Sequence, residues 1–400
     1  MTSATVFNPF DPADVHNMWE LTARLRASEP VSRPFPGTVY VARFADCREV
    51  LRDRDRFSSG QGFRAEGVSV PPDERMIGEM DAPAHPRIRR LVVGALRPTM
   101  IAREEIFTRN YVEERLAAVL AGGGGDLIQL LTIPVANAVL VHLVGAPIDD
   151  ADMIAGWGTE LMHSDYPLYN RSERGEGIGA GFPEFSGYID ELVRSRRSYP
   201  ADDLISALVA AQEQDAELSS VMIRTIIANL LLGGVSTTTN LLGNLLHRLL
   251  ADPDLWAALR ADRSRVAATV EESLRHTPPI PVVLRTCVSD TEIGGEPVYA
   301  GERIVLGVAS ANRDEAVFTE PDTFRIDRDE PESLGFGGGA HLCLGAHVAR
   351  MQAKVVLEAV LDMVEPGQLQ LAPDYRFATG PIYMEYGPAT LDVIVAREAL

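Results

Sequence analysis

One ten-residue stretch determines how the rest of the chain is interpreted, and it reads Phe336-Gly337-Gly338-Gly339-Ala340-His341-Leu342-Cys343-Leu344-Gly345. Its three consecutive glycines allow positive φ angles and a close approach to a flat partner, so a loop is predicted here. Apolar residues then recur at spacings of four, three and four, which predicts a helix that begins just after the cysteine: Leu344, Val348, Met351 and Val355. Unpaired N–H groups and the helix dipole favour a thiolate at a helix N-terminus, so Cys343 is a candidate metal ligand.

Three interpretations of Cys343 are open at this point. The first is a structural cysteine in a loop. The second is a zinc site, because His341 and His347 flank the cysteine. Structural zinc usually takes four ligands, often with paired cysteine spacings, and this sequence has no such spacing. The third is haem, with the thiolate as the axial ligand of the iron.

The spacing of the stretch favours haem. Phe336, Gly339, Cys343 and Gly345 fill the pattern F-x-x-G-x-x-x-C-x-G, which resembles the haem-binding signature of the cytochrome P450 family. His341 matches the same signature. The resemblance implies haem b (iron protoporphyrin IX) as the cofactor and Cys343 as the axial ligand of its iron. It also implies a mainly α fold with small β-sheets, in which the haem is buried between a long central helix and the cysteine loop.

Composition is that of a globular protein, and by length alone the chain could form two domains or one large one. Of the 400 residues, 46% are apolar and 24% are charged, and the net charge is −20, which argues against nucleic acid or an anionic membrane as a partner. No run of about 18 uncharged apolar residues is present, so no membrane span is expected. Residues 1–14 lack the features of a signal peptide. The three cysteines are far apart, which suits a reducing cytoplasm. A single domain over residues 1–400 is expected, and the resemblance implies a monomer.

Hydrophobic periodicity predicts a chain of helices with short strands near each end. The predicted helices are Asp14–Arg26, Ala45–Asp53, one that starts near Asp81, Thr108–Leu120, Asp126–Val144, Asp150–His163, Pro183–Arg197, Asp203–Ala211, Leu218–Leu250 and two after Asp254. The β-rich portion is predicted from Thr38–Arg43 and from residues about 280–310 and 370–398, with Pro278–Arg285 as an edge strand and Glu292–Gly295 and Tyr299–Val308 as a hairpin.

Several glycine-rich segments are predicted to lie outside regular structure. The run Gly122–Gly125 is expected to be a flexible turn, and Gly380–Gly387 is expected to be a turn whose tip enters the substrate pocket. Tyr166–Phe182 is a candidate lid. Gly60–Ala65 fits a dinucleotide-binding fingerprint only loosely, because prolines follow where a helix is needed, so a loop is predicted there.

The longest helical pattern has an unfavourable centre, Gly233-Gly234-Val235-Ser236-Thr237-Thr238-Thr239. A glycine in a helix costs about 1 kcal/mol relative to alanine, so the stretch indicates either a functional site or tight packing, and helices kink at such places. The resemblance implies that this helix passes over the haem and bends to admit oxygen and water. The family pattern A/G-G-x-D/E-T is met by Gly233, Gly234 and Thr237, which implies that Thr237 steadies dioxygen. Ser236 stands where the family has an acid, and serine can pass a proton through water but cannot ionise.

Other matches to the family concern the haem propionates and a structural ion pair. His85 and Arg89 share one helix face, and the resemblance implies that they and Arg285 point at the propionates. Glu272 and Arg275 match the family's buried E-x-x-R pair.

The third member of this ion pair normally comes from a P-x-R-F segment. The corresponding segment here is Pro321-Asp322-Thr323-Phe324, in which threonine replaces the arginine. Either Arg325 or Arg328 is expected to substitute for it.

Candidate substrate-pocket residues are apolar, which favours a hydrophobic small molecule: Val235, Ile280, Val282, Val283 and Met384. The resemblance implies a monooxygenase that inserts one atom of O₂ into such a molecule. No flavin or iron–sulfur motif is visible, so electrons are expected from a separate ferredoxin and an NAD(P)H-dependent ferredoxin reductase. A basic patch is one candidate docking surface, with ordinary solvated side chains as the alternative: Arg87, Arg90, Arg350 and Lys354. The serine at 236 keeps open a haem-thiolate enzyme that uses peroxide or performs oxidative coupling or dehydration.

Overall fold

The structure is a computed structural model of the chain, and it describes residues 7–60, 70–163, 177–215, 217–380 and 384–396. Its α-helices are α1 (Pro12–His16), α2 (Met18–Ser28), α3 (Phe44–Arg52), α4 (Ala84–Ala95), α5 (Pro98–Gly122), α6 (Ile133–Val144), α7 (Ala151–His163), α8 (Gly177–Gly181), α9 (Pro183–Ser198), α10 (Leu204–Gln214), α11 (Ser220–Ala251), α12 (Pro253–Ala261), α13 (Val266–His276), α14 (Val308–Ala311) and α15 (Ala346–Met363). Its strands are β1 (Val31–Phe35), β2 (Thr38–Val41), β3 (Phe57–Ser58), β4 (Gly124–Asp126), β5 (Val283–Cys287), β6 (Thr291–Ile293), β7 (Glu296–Val298), β8 (Arg303–Leu306), β9 (Leu369–Leu371) and β10 (Asp392–Val395).

The described strands form three small sheets. The largest has the order β1-β2-β8-β5-β3, in which β2 and β8 run parallel and the other neighbours run antiparallel. The second sheet has the order β4-β10-β9, and β6 and β7 form a two-stranded hairpin. The predicted class, mainly α with small sheets, is confirmed.

The chain packs as two compact units, and the boundary within α11 falls between Ser236 and Thr237. The first unit, here called the sheet unit, comprises Met1–Ser59, Val112–Thr132 and Thr237–Leu400, and it contains every described strand. Its buried apolar cluster joins the large sheet to α3 and to the chain after α14: Val39, Val41, Phe44, Ile304, Leu306 and Phe318. Burial of this kind contributes about 25 cal/mol for each Å² of apolar surface.

The second unit, here called the helical unit, comprises Gly60–Tyr111 and Ile133–Ser236. Helix α10 packs on α4, α6 and α9, and α6 packs on α7. Helix α6 is almost entirely apolar, and every residue after Pro134 except His142 is buried. The prediction of one domain over residues 1–400 stays a prediction.

Helix existence was predicted well and helix boundaries less well. The predicted Asp14–Arg26 is two helices, α1 and α2, which meet at Asn17. Asp126–Val144 contains a π-helical turn at Ile128–Thr132 before α6 begins. Helix α5 starts ten residues earlier than predicted, at Pro98 rather than at Thr108.

The four-glycine run is not simply a flexible turn. Gly124 lies in β4 and pairs with Ile394 of β10. Its φ is +115°, and a Cβ there would collide with the carbonyl oxygen of Val393. Glycine is therefore required for two reasons, the backbone conformation and the close approach of a neighbouring strand.

Two strand predictions are corrected. Strand β5 lies between β8 and β3 instead of at an edge, because Pro278, Pro279 and Pro281 all precede its first residue and leave its N–H groups available. Residues 303–306 form β8, which pairs with β2 and β5 and not with the 291–293 strand. Strand β1, which contains Arg33 and Pro34, was not predicted from the sequence.

Helix α11 is long and apolar enough to cross a membrane by length and composition alone. Half of its most apolar window is buried inside the protein, as is usual for the core helix of a globular enzyme. It does not contain the run of about 18 uncharged apolar residues that was sought in the sequence, because glycine and hydroxyl residues interrupt it. The Gly60–Ala65 and Tyr166–Phe182 predictions lie mostly outside the described residues, as does the tip of the Gly380–Gly387 turn.

Candidate active site

The cysteine loop, residues 336–345, is closed by its own backbone. The Cys343 N–H donates to the Phe336 carbonyl at 3.0 Å. Gly337 and Gly339 have φ angles of +73° and +65°, which bulkier residues rarely adopt. The structure thus gives two of the three glycines the backbone role that the sequence suggested.

The loop also packs against the end of α3 within the sheet unit. A Cβ on Gly339 would collide with the carbonyl oxygen of Leu51, at the end of α3. Gly345 lies beside the thiol, since a Cβ built on it would be 3.9 Å from the Cys343 Sγ. Any larger residue at Gly339 would therefore displace the loop that carries the cysteine.

The position of Cys343 differs slightly from the prediction. Helix α15 begins at Ala346, with Gly345 as its N-cap, because Leu344 and Gly345 form a turn. Cys343 therefore precedes the helix, which starts two residues later than the predicted start at Leu344. The apolar face is otherwise as predicted, with Val348, Met351 and Val355 buried.

Cys343 is the accessible thiol of the chain. Cys47 and Cys287 are fully buried, and burial raises the pKa of both thiols, which disfavours their thiolates. Cys343 is exposed. In the described part of the chain no three His, Cys, Asp or Glu side chains come together as a metal site, so the zinc alternative has no ligand set there.

An arginine covers the aromatic residue at the start of the loop. The Arg350 guanidinium lies 4.6 Å from the centroid of the Phe336 ring and holds Glu271 through two hydrogen bonds of 2.6 and 2.9 Å. This contact joins α15, α13 and the loop. The sequence assigned Arg350 to a basic patch and missed this role, because Glu271 is 79 residues away.

A buried ion-pair network lies beside the same segment. Arg275 and Glu272 are joined by bonds of 2.7 and 2.8 Å, and both side chains are 3% exposed. Arg328 is the third member, because its Nε donates to both Glu272 oxygens at 3.0 Å.

Arg325 has a different part in this network. Its guanidinium pairs with Asp327 and Glu320, and its backbone N–H donates to Glu272 at 2.7 Å. Arg328 therefore replaces the arginine that is missing at Thr323.

The centre of α11 is helical but not buried. The helix runs without a break in its assignment from residue 220 to 251, and the expected bend stays a prediction. Residues 233–237 are exposed or half-buried, although most of the helix around them is buried. A long core helix with an accessible centre is the arrangement that a bound cofactor or substrate would require.

The two glycines in this centre serve different purposes. A Cβ on Gly234 would lie 2.6 Å from a methyl carbon of Leu140 in α6, so this glycine permits close helix packing. A Cβ on Gly233 would meet nothing nearer than 3.8 Å. Close helix packing therefore explains why residue 234 is glycine. Packing does not explain the glycine at 233, so a functional site remains the interpretation there.

The candidate propionate ligands are found on both units. His85 is buried and Arg89 is half-buried, four residues apart on α4. Arg285 in β5 is 6% exposed, and its Nη1 donates to its neighbour's carbonyl at 2.7 Å. His341 is half-buried at the end of a 3₁₀ turn. Their contacts with a cofactor stay predictions.

The candidate pocket residues have unequal exposure. Val282 and Met384 belong to one buried apolar cluster with Leu284 and Tyr386. Met384 has a φ of +60°. The remaining three are half-buried: Val235, Ile280 and Val283.

The described residues fit a haem-thiolate site. The single exposed thiol is carried by a rigid glycine loop, which suits an axial ligand. Arg285 is a buried cation of the kind that a carboxylate-bearing group can neutralise. The fold and these residues together define a haem-binding oxidoreductase class.

Comparison with known proteins agrees with this class. The sequence profile described as Cytochrome P450 matches residues 33–365. The erythromycin C-12 hydroxylase of Saccharopolyspora erythraea is 34% identical over 351 residues, which cover 87% of each chain. The linalool 8-monooxygenase of Pseudomonas putida is 32% identical over 368 residues, or 88% of this chain and 89% of the relative.

Solved structures give the same result. A mutant of P450 EryK in complex with erythromycin B has a TM-score of 0.85 at 31% identity and covers 97% of this chain and 98% of its own. CalO2 has a TM-score of 0.88 at 28% identity, with 98% and 99% covered.

The chain belongs to the cytochrome P450 family. It is a P450 monooxygenase, and the family binds haem b through a cysteine thiolate.

Proposed function

We propose that this chain inserts one oxygen atom from O₂ into a hydrophobic small organic molecule, with Cys343 as the axial ligand of the haem iron. Electrons come from a separate ferredoxin and an NAD(P)H-dependent ferredoxin reductase. The enzyme works as a monomer in the cytoplasm. The observation that carries the proposal is the exposed Cys343 on a loop that its glycines hold against Leu51.

The residues of this chain act by binding and positioning. Bound haem supplies the oxidation chemistry, and a thiolate ligand favours cleavage of the O–O bond. Cys343 would bind the iron, and the backbone bond from the Cys343 N–H to the Phe336 carbonyl closes the loop that carries the thiol. Arg285, His85 and Arg89 bind the propionates, with His341 as a further contact. Thr237 holds a proton at its hydroxyl, and Ser236 passes protons to it through water.

Carboxylates neutralise part of the candidate basic patch for the electron donor. Arg350 is paired with Glu271, Lys354 lies 3.9 Å from Glu358, and Arg87 is paired with Asp215. These pairs reduce the strength of the basic patch suggested by the sequence. Steering by charge is therefore expected to be modest, and shape and apolar contacts supply more of the affinity for ferredoxin.

The proposed substrate is hydrophobic, and the similarity of this chain to its relatives does not identify the molecule. The relatives carry names that refer to erythromycin, linalool, steroids and nocardicin C, at 30–34% identity. Proteins equally similar to this chain thus act on different molecules. We assign the substrate pocket to five apolar residues: Val235, Ile280, Val282, Val283 and Met384. Three of them are half-buried and can contact a ligand: Val235, Ile280 and Val283.

A second function is favoured by Ser236. A helix without an ionisable side chain at this place suits chemistry that needs fewer delivered protons, such as peroxide use, oxidative coupling or dehydration. The two functions are separated by comparing turnover of one substrate with ferredoxin, reductase and NAD(P)H against turnover with hydrogen peroxide. Faster and better-coupled turnover with ferredoxin supports the monooxygenase, and the reverse result supports the alternative.

The first experiment is a titration of the purified ferric protein with hydrophobic small molecules, followed through the Soret band. A substrate that displaces water from the iron shifts the haem from low to high spin, so a saturable shift with one chemical class identifies the substrate class. Oxygenated product from that compound under ¹⁸O₂, with one labelled atom incorporated, is the expected outcome. A product without label contradicts the monooxygenase proposal.

A further inference from the structure

A cavity of about 200 Å³ lies within the sheet unit, and none of its lining residues is assigned above to the haem or the substrate. Its walls come from α2, α11, the end of α13, the chain after α14 and the C-terminal segment. Aromatic rings make up much of the surface: Trp19, Phe324, Phe377 and Tyr386. Two histidines and two arginines contribute to the polar part of the lining: His247, His276, Arg248 and Arg313.

The walls are held in place by hydrogen bonds, so the cavity is preformed. The Asn244 amide nitrogen donates to the carbonyls of Thr277 and Tyr386 at 3.1 and 3.0 Å. Arg313 donates twice to the His276 carbonyl, and its guanidinium stacks 3.6 Å from the centroid of the Trp19 ring. A ligand would therefore need little reorganisation of the protein on binding.

The two arginines of the cavity each have a carboxylate partner, Asp322 for Arg313 and Asp252 for Arg248. Arg313 is buried, whereas its partner Asp322 is 72% exposed and its charge is screened by water. Burial, and then the neighbouring Arg313, lower the pKa of His276 to about 3. Burial and Arg248 likewise lower the pKa of His247. Both histidines are thus neutral at pH 7, and the positive charges of the lining belong to the arginines.

Arg248 has one donor available for a ligand. Its Nη2 donates to Asp252 at 2.5 Å and its guanidinium lies 4.8 Å from the centroid of Phe324, while its buried Nε has no hydrogen-bond partner in the described part of the chain. The next residue, His247, contacts Phe377 through its ring. An arginine donor next to aromatic faces matches a flat ring that carries a carboxylate.

We propose that this cavity is a second ligand site that binds a small aromatic carboxylate. The carboxylate pairs with Arg248, and the ring packs against the aromatic walls. The volume suits this class, because a cavity of about 150 Å³ is known to accept benzene. Its lining residues are not among those assigned to the haem or to the proposed substrate, although Tyr386 shares a buried apolar cluster with Met384.

The test uses the haem-loaded full chain with benzoate as the probe and benzyl alcohol as a neutral compound of the same shape. Calorimetry is run at 0.15 M salt while the Soret band is recorded. Benzoate is expected to bind with a Kd of about 1 mM or below and without a change in the Soret band. Benzyl alcohol is expected to bind about tenfold more weakly, since it lacks the charge-assisted bond.

Two arginine variants and one histidine variant locate the binding. Arg248→Gln should weaken benzoate about tenfold and leave benzyl alcohol unchanged. Arg260→Gln, which removes a surface arginine paired with Glu365, should leave both unchanged. His247→Leu keeps the charge of Arg248 but alters the wall, and it should weaken both compounds.

Three results would overturn the proposal. They are the absence of saturable benzoate binding, equal affinity for the two compounds, and benzoate binding that Arg248→Gln does not change. Circular dichroism of each variant establishes that it is folded. Benzoate that shifts the Soret band and loses its affinity when a haem-pocket ligand is present would also contradict the second site.

Discussion

The cysteine loop and the centre of α11, the two regions to which haem chemistry is assigned, are supported in different ways. The loop is held by a backbone bond from Cys343 to Phe336, by the contact of Gly339 with Leu51 and by the Arg350–Glu271 pair. The centre of α11 has accessible residues at 233–237. A ligand atom that must stay in one place needs many contacts, whereas a surface that must admit other molecules needs space.

The largest expected effect is at the thiol itself. Cys343→Ala should abolish the haem-thiolate spectrum and all monooxygenase activity, because no other thiol is accessible. The carbon monoxide difference spectrum of the reduced protein measures this. Cys287→Ala, which removes a buried thiol in β5, is the matched control and should retain the spectrum. Retention of a thiolate spectrum in Cys343→Ala would refute the assignment.

The ion-pair network supports the loop side of the comparison, and two arginines allow a matched test. Arg328→Met should lower the free energy of unfolding by about 3 kcal/mol, because it leaves Glu272 with fewer buried partners. Arg325→Met should change it much less, since the Arg325 guanidinium pairs with exposed carboxylates at the surface. Urea unfolding of both variants measures the difference. Equal effects would show that the two arginines share the role.

Gly233 and Gly234 test how tightly the centre of α11 is packed. Gly234→Ala should destabilise the protein by about 1–3 kcal/mol, because its Cβ would press on Leu140. Gly233→Ala should be neutral or stabilising by up to about 1 kcal/mol, because alanine favours the helix and meets no close neighbour. Thermal unfolding of the two variants decides this. A larger loss at Gly233 would mean that the centre of α11 is packed more tightly than its neighbours indicate.

The smallest expected effect concerns proton supply. Ser236→Asp should raise the fraction of NAD(P)H converted to product severalfold and lower peroxide-driven turnover, because aspartate can ionise and serine cannot. Ser236→Asn has a similar size and no titratable proton, so it should not improve coupling. If the two variants behave alike, proton delivery does not depend on an acid at this position.

Much of the fold and the site could be predicted because the signals are local. The spacing of Cys343 within its glycine loop, the apolar face of α15 and the unfavourable centre of α11 all lie within one or two helical turns of sequence. Helix existence followed from periodicity over ten or more residues. Boundaries such as Asn17 and the π-helical turn at Ile128–Thr132 did not, because a one-residue change in hydrogen bonding leaves the apolar pattern almost unchanged.

The sequence by itself determined the family, the candidate iron ligand and the helical class, since these depend on residue types at fixed short spacings. Tertiary structure decided which arginine completes the Glu272 pair, and it distinguished the packed Gly234 from the open Gly233. It also placed Gly124 in a strand and paired Arg350 with Glu271. Each of these depends on a neighbour that is distant in the chain, from 56 residues for Arg328 to about 270 for Gly124 and Ile394. Local propensity carries no information about such a neighbour, and packing alone decides it.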